Sequence, residues 1–78
     1  MSRFYFDVLD NGRWSRDEQG LEYPDIGAAI AEARRAAAEI SKQSILEEET
    51  GPVRVAVRDH KNGPVLFTVS WSLESGNT

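Results

Sequence analysis

One long helical segment, residues 25–48, constrains the fold more than any other feature of the chain. Asp25 suits an N-cap because its carboxylate can accept hydrogen bonds from the free amides of the first turn. Seven alanines between residues 28 and 38 favour the helix and keep its apolar face thin, so a sheet can approach closely. At about 100° per residue, one stripe faces that sheet, formed by Ile26, Ile30, Ala33, Ala37 and Ile40.

Alternating apolar and polar residues on both sides of the helix predict two β-hairpins, each closed by an Asn-Gly dipeptide. Residues 3–9 and 13–17 form the first, and residues 53–58 and 65–73 form the second. Residues 21–24 are predicted to be extended, because a residue before a proline avoids the helical region. The fold is therefore α+β, in the order β-β-α-β-β: two hairpins form a four-stranded antiparallel sheet with one long helix packed on one face. Residues 1–74 form a single domain, and residues 75–78 form a frayed C-terminal tail.

The register of the second hairpin follows because directly opposed residues of an antiparallel pair share a face of the sheet. Val57 is expected opposite Phe67, which requires an odd-numbered loop. A three-residue loop, Lys61-Asn62-Gly63, meets that requirement if Gly63 is left-handed.

The same reasoning makes Asp10-Asn11-Gly12 a three-residue loop that pairs Val8 with Trp14 in the core. We favour the strand order 2-1-3-4, which places Asp7 near an arginine of the third strand.

The composition and net charge make several classes of function less favoured. A net charge of -4 disfavours nucleic acid as a partner at long range without excluding it. No apolar run is long enough to span a membrane. The chain has no cysteine and does not begin like a secretory signal, so we expect a cytoplasmic protein.

No combination of residues indicates catalysis, a cofactor or a metal. His60 is the only histidine, and a general base or metal ligand needs partner residues that the sequence does not place beside it. The serines lack a base for the same reason. The acidic clusters at residues 17–18 and 47–49 lack the ligand spacing of a calcium loop. We expect a protein that is not an enzyme.

Two surfaces remain as candidate sites. The sheet face opposite the helix mixes arginine with an aromatic residue, as RNA-binding sheets do, and its candidate residues are Arg3, Tyr5, Arg54 and Arg58. Near the end of the helix, Ile45 and Leu46 lie about 100° and 160° from the apolar stripe, so the chain's own sheet cannot bury both. With Leu66 on a strand edge, they form a candidate interface. The leading hypothesis is a self-associating protein-interaction module, a homodimer; the alternatives are a different protein partner or a nucleic-acid-binding or regulatory module.

Several short motifs together resemble a family of small bacterial domains of unknown function that are frequent in alphaproteobacteria. The motifs are Phe4-Tyr5-Phe6-Asp7-Val8, Asn11-Gly12, Asp17-Glu18-Gln19-Gly20-Leu21-Glu22, Pro24-Asp25, Ala28-Ala29, Val57-Arg58-Asp59 and Gly63-Pro64-Val65-Leu66. The resemblance covers nearly the whole chain. It implies a bacterial cytoplasmic protein and brings no activity, because it assigns no catalytic or binding residues.

Overall fold

A five-stranded antiparallel sheet carries one helix on one of its faces in the computed structural model, which describes residues 1–72. The elements are β1 (Ser2–Asp10), β2 (Arg13–Ser15), β3 (Leu21–Tyr23), α1 (Ile26–Leu46), β4 (Val53–Arg58) and β5 (Val65–Trp71). The strand order is β2-β1-β4-β5, with β3 also paired to β1. The predicted α+β fold and strand order are confirmed, and β3 is a fifth strand where the sequence predicted only an extended segment. The predicted domain end at residue 74 and the tail at 75–78 lie outside the described residues.

Both ends of α1 are closed by local hydrogen bonds. At the start, the Asp25 carboxylate accepts a hydrogen bond from the Ala28 N–H at 2.8 Å, which confirms the predicted N-cap. At the other end Glu48 is left-handed, with φ of 60°. The N–H of Glu49 then donates to Ser44 O at 2.9 Å, and that of Glu48 donates to Ile45 O at 3.1 Å. This Schellman motif ends α1 at Leu46, two residues before the predicted end of the helical segment at residue 48.

The core lies between α1 and the central strands. Alanines form the part of the helix closest to the sheet, and Ala29, Ala33 and Ala37 are almost completely buried. Because each carries only a methyl group, the helix backbone can come close to the valines of β4. The remaining core members are Phe4, Val55 and Val57, with Phe6, Val8, Tyr23, Ala36, Ile40, Phe67 and Val69 packed around them.

The first hairpin differs from its prediction by one residue. Asn11 and Gly12 have φ of 53° and 77°, which is the backbone of a two-residue type I′ turn. Trp14 therefore lies opposite Leu9 and not Val8. Since a one-residue shift moves a side chain to the other face, Trp14 leaves the predicted core and is 56% exposed on the face opposite the helix.

The second hairpin has the predicted register and a different loop. Val57 lies opposite Phe67, as predicted. Arg58, however, pairs with Val65, which leaves Leu66 as an extra residue in a β-bulge. The loop covers residues 59–64, and Gly63 is not left-handed. A Cβ at Gly63 would lie 2.9 Å from the Cβ of His60, so close packing is the reason that glycine suits this position.

We predict that Gly20→Ala destabilises the protein more than Gly12→Ala does. Both glycines are left-handed, with φ of 70° and 77°, so alanine strains either backbone by about 1–2 kcal/mol. A Cβ at Gly20 would also lie 2.7 Å from Phe4 O, whereas nothing lies within 4 Å of one at Gly12. Urea unfolding should show a further loss of about 1–3 kcal/mol for Gly20→Ala. Equal losses would show that the contact with β1 relaxes without cost.

Candidate functional site

A buried ion pair lies on the sheet face opposite the helix. Arg58 is only 2% exposed. Its Nε donates to Asp7 Oδ2 and its Nη2 donates to Asp7 Oδ1, both at 2.9 Å. Arg58 pairs with Tyr5 across β1 and β4, which places Asp7 diagonally beside it. The predicted proximity of Asp7 to an arginine of this strand is confirmed.

The remaining donors of Arg58 bind backbone carbonyls of two loops. Nη2 donates to Asp17 O at 3.0 Å, and Nη1 donates to His60 O at 3.1 Å and to Lys61 O. The guanidinium carbon also lies 5.1 Å from the centre of the Tyr5 ring. All five N–H groups of a guanidinium are thus satisfied. Arg58 has no free donor for a phosphate.

Asp17 fills a gap along one edge of β1. β2 pairs with residues 8–10 of that edge and β3 pairs with residues 2–4. Between them, Asp17 Oδ2 accepts a hydrogen bond from the Phe6 N–H at 3.1 Å. Asp17 Oδ1 accepts from the N–H groups of Gln19 and Gly20, and the Asp17 N–H donates to Asp7 Oδ1 at 2.9 Å. The side chain therefore replaces a missing strand and fixes the turn into β3.

Both aspartates have a pKa below their ordinary value of 3.8. Burial opposes this by raising the pKa of Asp7, but hydrogen bonds from Arg58 and from the Asp17 N–H outweigh it and lower the pKa. Burial likewise raises the pKa of Asp17, and the N–H groups of Gly20, Phe6 and Gln19 lower it further than burial raises it. The two carboxylates are therefore charged, acceptor-only groups at neutral pH.

The four candidate residues of the sheet face do not form one basic surface. Arg58 is buried, and Tyr5 lies beneath its guanidinium. Arg3 Nη1 donates to the carbonyls of Gln19 at 2.8 Å and Gly20 at 3.3 Å. Arg54 is exposed opposite Leu9, six residues along β1 from Arg3, which separates the two arginines by about 20 Å.

Two of the three candidate interface residues, Ile45 and Leu46, lie together at the end of the helix, and Leu66 lies apart from them. Ile45 is 48% exposed and Leu46 is 68% exposed. Both line a groove between α1 and β5, whose walls are helix residues from Arg34 to Leu46 and the strand residues Val69, Ser70 and Trp71. We call it the α1–β5 groove. Leu66, in the bulge at the other end of β5, is half-exposed and does not line this groove.

β5 forms a free edge of the sheet. Among residues 1–72 it pairs only with β4, so its other side presents unpaired backbone N–H and C=O groups. Its sequence from Val65 to Trp71 contains no charged residue and no proline. The opposite edge differs, because the two short strands and the Asp17 side chain cover it.

No catalytic arrangement is found in the described part of the chain. His60 is exposed and lies 3.8 Å from Asp59, with no third group to complete a proton relay. No group of three or more possible metal ligands occurs within residues 1–72. No helix among these residues is both long and apolar enough to cross a bilayer.

Comparison with known proteins identifies the family. Residues 3–70 match the domain of unknown function DUF6894. The chain belongs to this family. The predicted membership of a family of unknown function is confirmed, while the motifs assigned to that family and the alphaproteobacterial origin stay predictions. No curated protein and no solved structure matches the chain.

Sequence reasoning missed two features of these sites. Arg58 was expected on an open face, because alternation alone does not show that Asp7 and two loops enclose it. Ser41 was considered only as a serine without a base, although it lies about 60° from the centre of the apolar stripe and is therefore on the sheet side of the helix. Its position beside that stripe was the available signal.

We predict that Asp7→Asn destabilises the fold by about 3–5 kcal/mol, because it leaves the buried Arg58 charge without its carboxylate. Urea unfolding measures the loss. Arg35→Gln is the matched control, since that arginine forms exposed ion pairs with Glu32 and Glu39, and it should cost less than about 1 kcal/mol. The double variant Asp7→Asn, Arg58→Met should lose less than the sum of its single changes. Additive losses would contradict the pairing.

The lowered pKa values of Asp7 and Asp17 predict that acid destabilises the fold. A group whose pKa is lower in the folded state stabilises the protein fully above its unfolded pKa, and this contribution is lost as the pH falls through the folded pKa. Unfolding free energy should therefore be level above about pH 5 and fall below pH 3.8, the ordinary value for both groups. The pH dependence should be shallower in Asp17→Asn, and an unchanged profile would rule out a contribution from Asp17.

Proposed function

We propose that this domain is a protein-interaction module without catalytic activity, which self-associates in the cytoplasm by joining the β5 edges of two copies. The observation that carries the proposal is the uncharged, unpaired edge of β5. Soluble proteins usually protect such an edge with a charge, a proline, a short strand or a covering element. Seven residues from Val65 to Trp71 include no charge or proline. A second copy would provide the missing strand.

In a symmetric pair, one partner can satisfy both the free N–H groups and the free C=O groups of the β5 edge. A two-fold axis perpendicular to the sheet places β5 antiparallel to its own copy, so each strand supplies the same donors and acceptors. The result is a continuous sheet that passes through both copies, with both helices on the same face.

The helices then meet at a suitable distance. α1 packs over β4 and β5, the two strands nearest the free edge. Because neighbouring strands lie about 4.8 Å apart, joining the edges brings the two helices to a separation of about 10 Å. Packed helices in proteins lie about 8–10 Å apart. The helix flank beside β5 carries the small side chain of Ala38, which permits such an approach.

The exposed apolar residues fit the same arrangement. Ile45 and Leu46 lie on the helix side of the sheet, and Leu66 lies in the bulge at the start of β5. Covering large apolar side chains is favourable by a free energy of about 25 cal/mol for each Å² of apolar area that is removed from water. A small domain with few large side chains in its core gains stability from that burial.

The nucleic-acid alternative receives less support. Arg58 uses its donors inside the protein, and Arg3 and Arg54 lie far apart on a chain of net charge -4. Phosphate binding depends on several cations that act together, and the face opposite the helix does not bring them together. We therefore do not include nucleic acid among the partners that we propose.

We predict a light-scattering mass near twice the 8.7 kDa of one chain at about 100 μM protein. The variant Thr68→Lys, Ser70→Lys should be a monomer, because two-fold pairing of β5 sets like charges against each other. Thr68→Glu, Ser70→Glu should also be a monomer, and an equimolar mixture of the two variants should recover the dimer mass. Ile45→Lys, Leu46→Lys should weaken the dimer and retain its helical circular dichroism.

The matched control is Ser15→Lys, Leu21→Lys, which changes two exposed residues of β2 and β3 at the covered edge. It should remain a dimer. A monomeric wild type would overturn the proposal. A dimer that survives both lysine changes in β5 would exclude the strand edge as its interface.

A further inference from the structure

The regularly paired part of β5 has a symmetric chemical pattern. Its residues, in order, are Phe67, Thr68, Val69, Ser70 and Trp71. An aromatic residue stands at each end, a residue with a hydroxyl group comes next on both sides, and a valine occupies the centre. Reversing the direction of the segment leaves this pattern unchanged. Such a strand can lie antiparallel to its own copy with like groups opposite each other.

The backbone groups that face the free edge belong to Thr68 and Ser70. The Phe6 N–H points away from β4, because it donates to a carboxylate on the other side of β1. Val57 lies opposite Phe6 and therefore turns its N–H and C=O toward β5. Phe67, opposite Val57, turns its own groups back toward β4. Since the direction alternates along a strand, Thr68 and Ser70 turn theirs toward the free edge.

From this pattern we propose that two copies join β5 in one register, with the two-fold axis at Val69. This register rests on the dimer proposed above and fixes which residues meet in it. Thr68 and the partner's Ser70 exchange two backbone hydrogen bonds, and the symmetric pair adds two more. Phe67 lies opposite the partner's Trp71 on the helix side, so an aromatic pair closes each end of the interface. The two Val69 side chains meet at the axis.

Other registers match the two strands less well. An axis between two residues would oppose side chains that belong to different faces of the sheet. An axis at Thr68 would run the pairing through the bulge and set Leu66 opposite a serine. An axis at Ser70 would leave Phe67 opposite no residue of β5. The axis at Val69 instead pairs every residue of the regular segment with a residue of its own kind.

The same symmetry favours a second copy over an unrelated strand as the occupant of the edge. An unrelated strand could be matched to any sequence of β5, whereas self-pairing requires each residue to suit its counterpart across the axis. Phe67 and Trp71 meet this requirement as an aromatic pair, and Thr68 and Ser70 meet it as a pair of hydroxyl groups. The strand also carries no charge that its own copy would repel.

A charge variant distinguishes this register from the others. In Thr68→Lys, Ser70→Glu, the axis at Val69 sets each lysine opposite the partner's glutamate, so the light-scattering mass should remain that of a dimer. An axis at either substituted position would oppose like charges and give a monomer. The matched control is Thr68→Lys, Ser70→Lys at the same exposed positions, which opposes lysines in all three registers and should be a monomer.

Disulfide cross-linking is an independent measurement, because the chain contains no cysteine. Residues that oppose each other without exchanging hydrogen bonds have Cα atoms about 4.5 Å apart, within the range of about 4.4–6.8 Å that disulfides span. Val69→Cys should therefore form a covalent dimer under mild oxidation. Thr68→Cys and Ser70→Cys should each cross-link much less alone, since the same residue of the partner lies about 7–8 Å away on the diagonal. An equimolar mixture of these two variants should form the mixed covalent dimer.

The results separate the register from the dimer itself. If the wild type is a dimer and Thr68→Cys or Ser70→Cys cross-links faster than Val69→Cys, the register is wrong and the dimer stands. A folded monomer of Thr68→Lys, Ser70→Glu, with its helical circular dichroism retained, would also overturn the register. A wild-type monomer would overturn the dimer and the register together. A wild-type dimer in which none of the cysteine variants cross-links would exclude β5 as the interface.

Discussion

The buried guanidinium of Arg58 is the interaction on which the rest of the structure depends. It joins β1 through Asp7, the turn into β3 through Asp17 O, and the loop after β4 through the carbonyls of His60 and Lys61. Removing a charge from water is expensive, so such a group persists only where every donor is paired. Here the pairing is complete. The two hairpins are joined by the backbone pairing of β1 with β4, and this side chain and the helix fix their relative position further.

Much of the fold could be predicted because its signals are local or simply periodic. Alternation located the long strands, Asp25 located the helix start, and a shared face placed Val57 opposite Phe67. The lengths of the turns were harder to predict, because an Asn-Gly dipeptide suits both two-residue and three-residue loops. The two-residue form moved Trp14 to the other face. β3 was missed as a strand because only three residues pair, and no alternation is visible over that length.

The sites were less predictable because they depend on contacts between distant residues. The exposure of Ile45 and Leu46 follows from helical angles, which the sequence contains. The burial of Arg58 does not, since it requires the Asp17 turn to close over a strand 41 residues away. An arginine on a strand resembles a ligand-binding residue until its acceptors are known. Ser41 shows the opposite case: a polar residue beside an apolar stripe is visible in the sequence, but the absence of an acceptor is visible only in the structure.

The two edges of the sheet therefore differ in how they are covered. Along the outer edge of β1, the Asp17 carboxylate takes the place of a backbone acceptor for the Phe6 N–H, and β2 and β3 cover the rest of the edge. The charges involved are paired within the protein. On the β5 side, seven uncharged residues remain beside an apolar groove. Polar closure of one edge leaves little for a partner to bind there, because its donors and acceptors are already used. Exposed backbone and exposed apolar area instead coincide along β5 and the end of α1. The association that we propose at that place would satisfy hydrogen bonds and remove apolar area from water in a single contact, which is the combination that favours a specific interface over nonspecific adhesion.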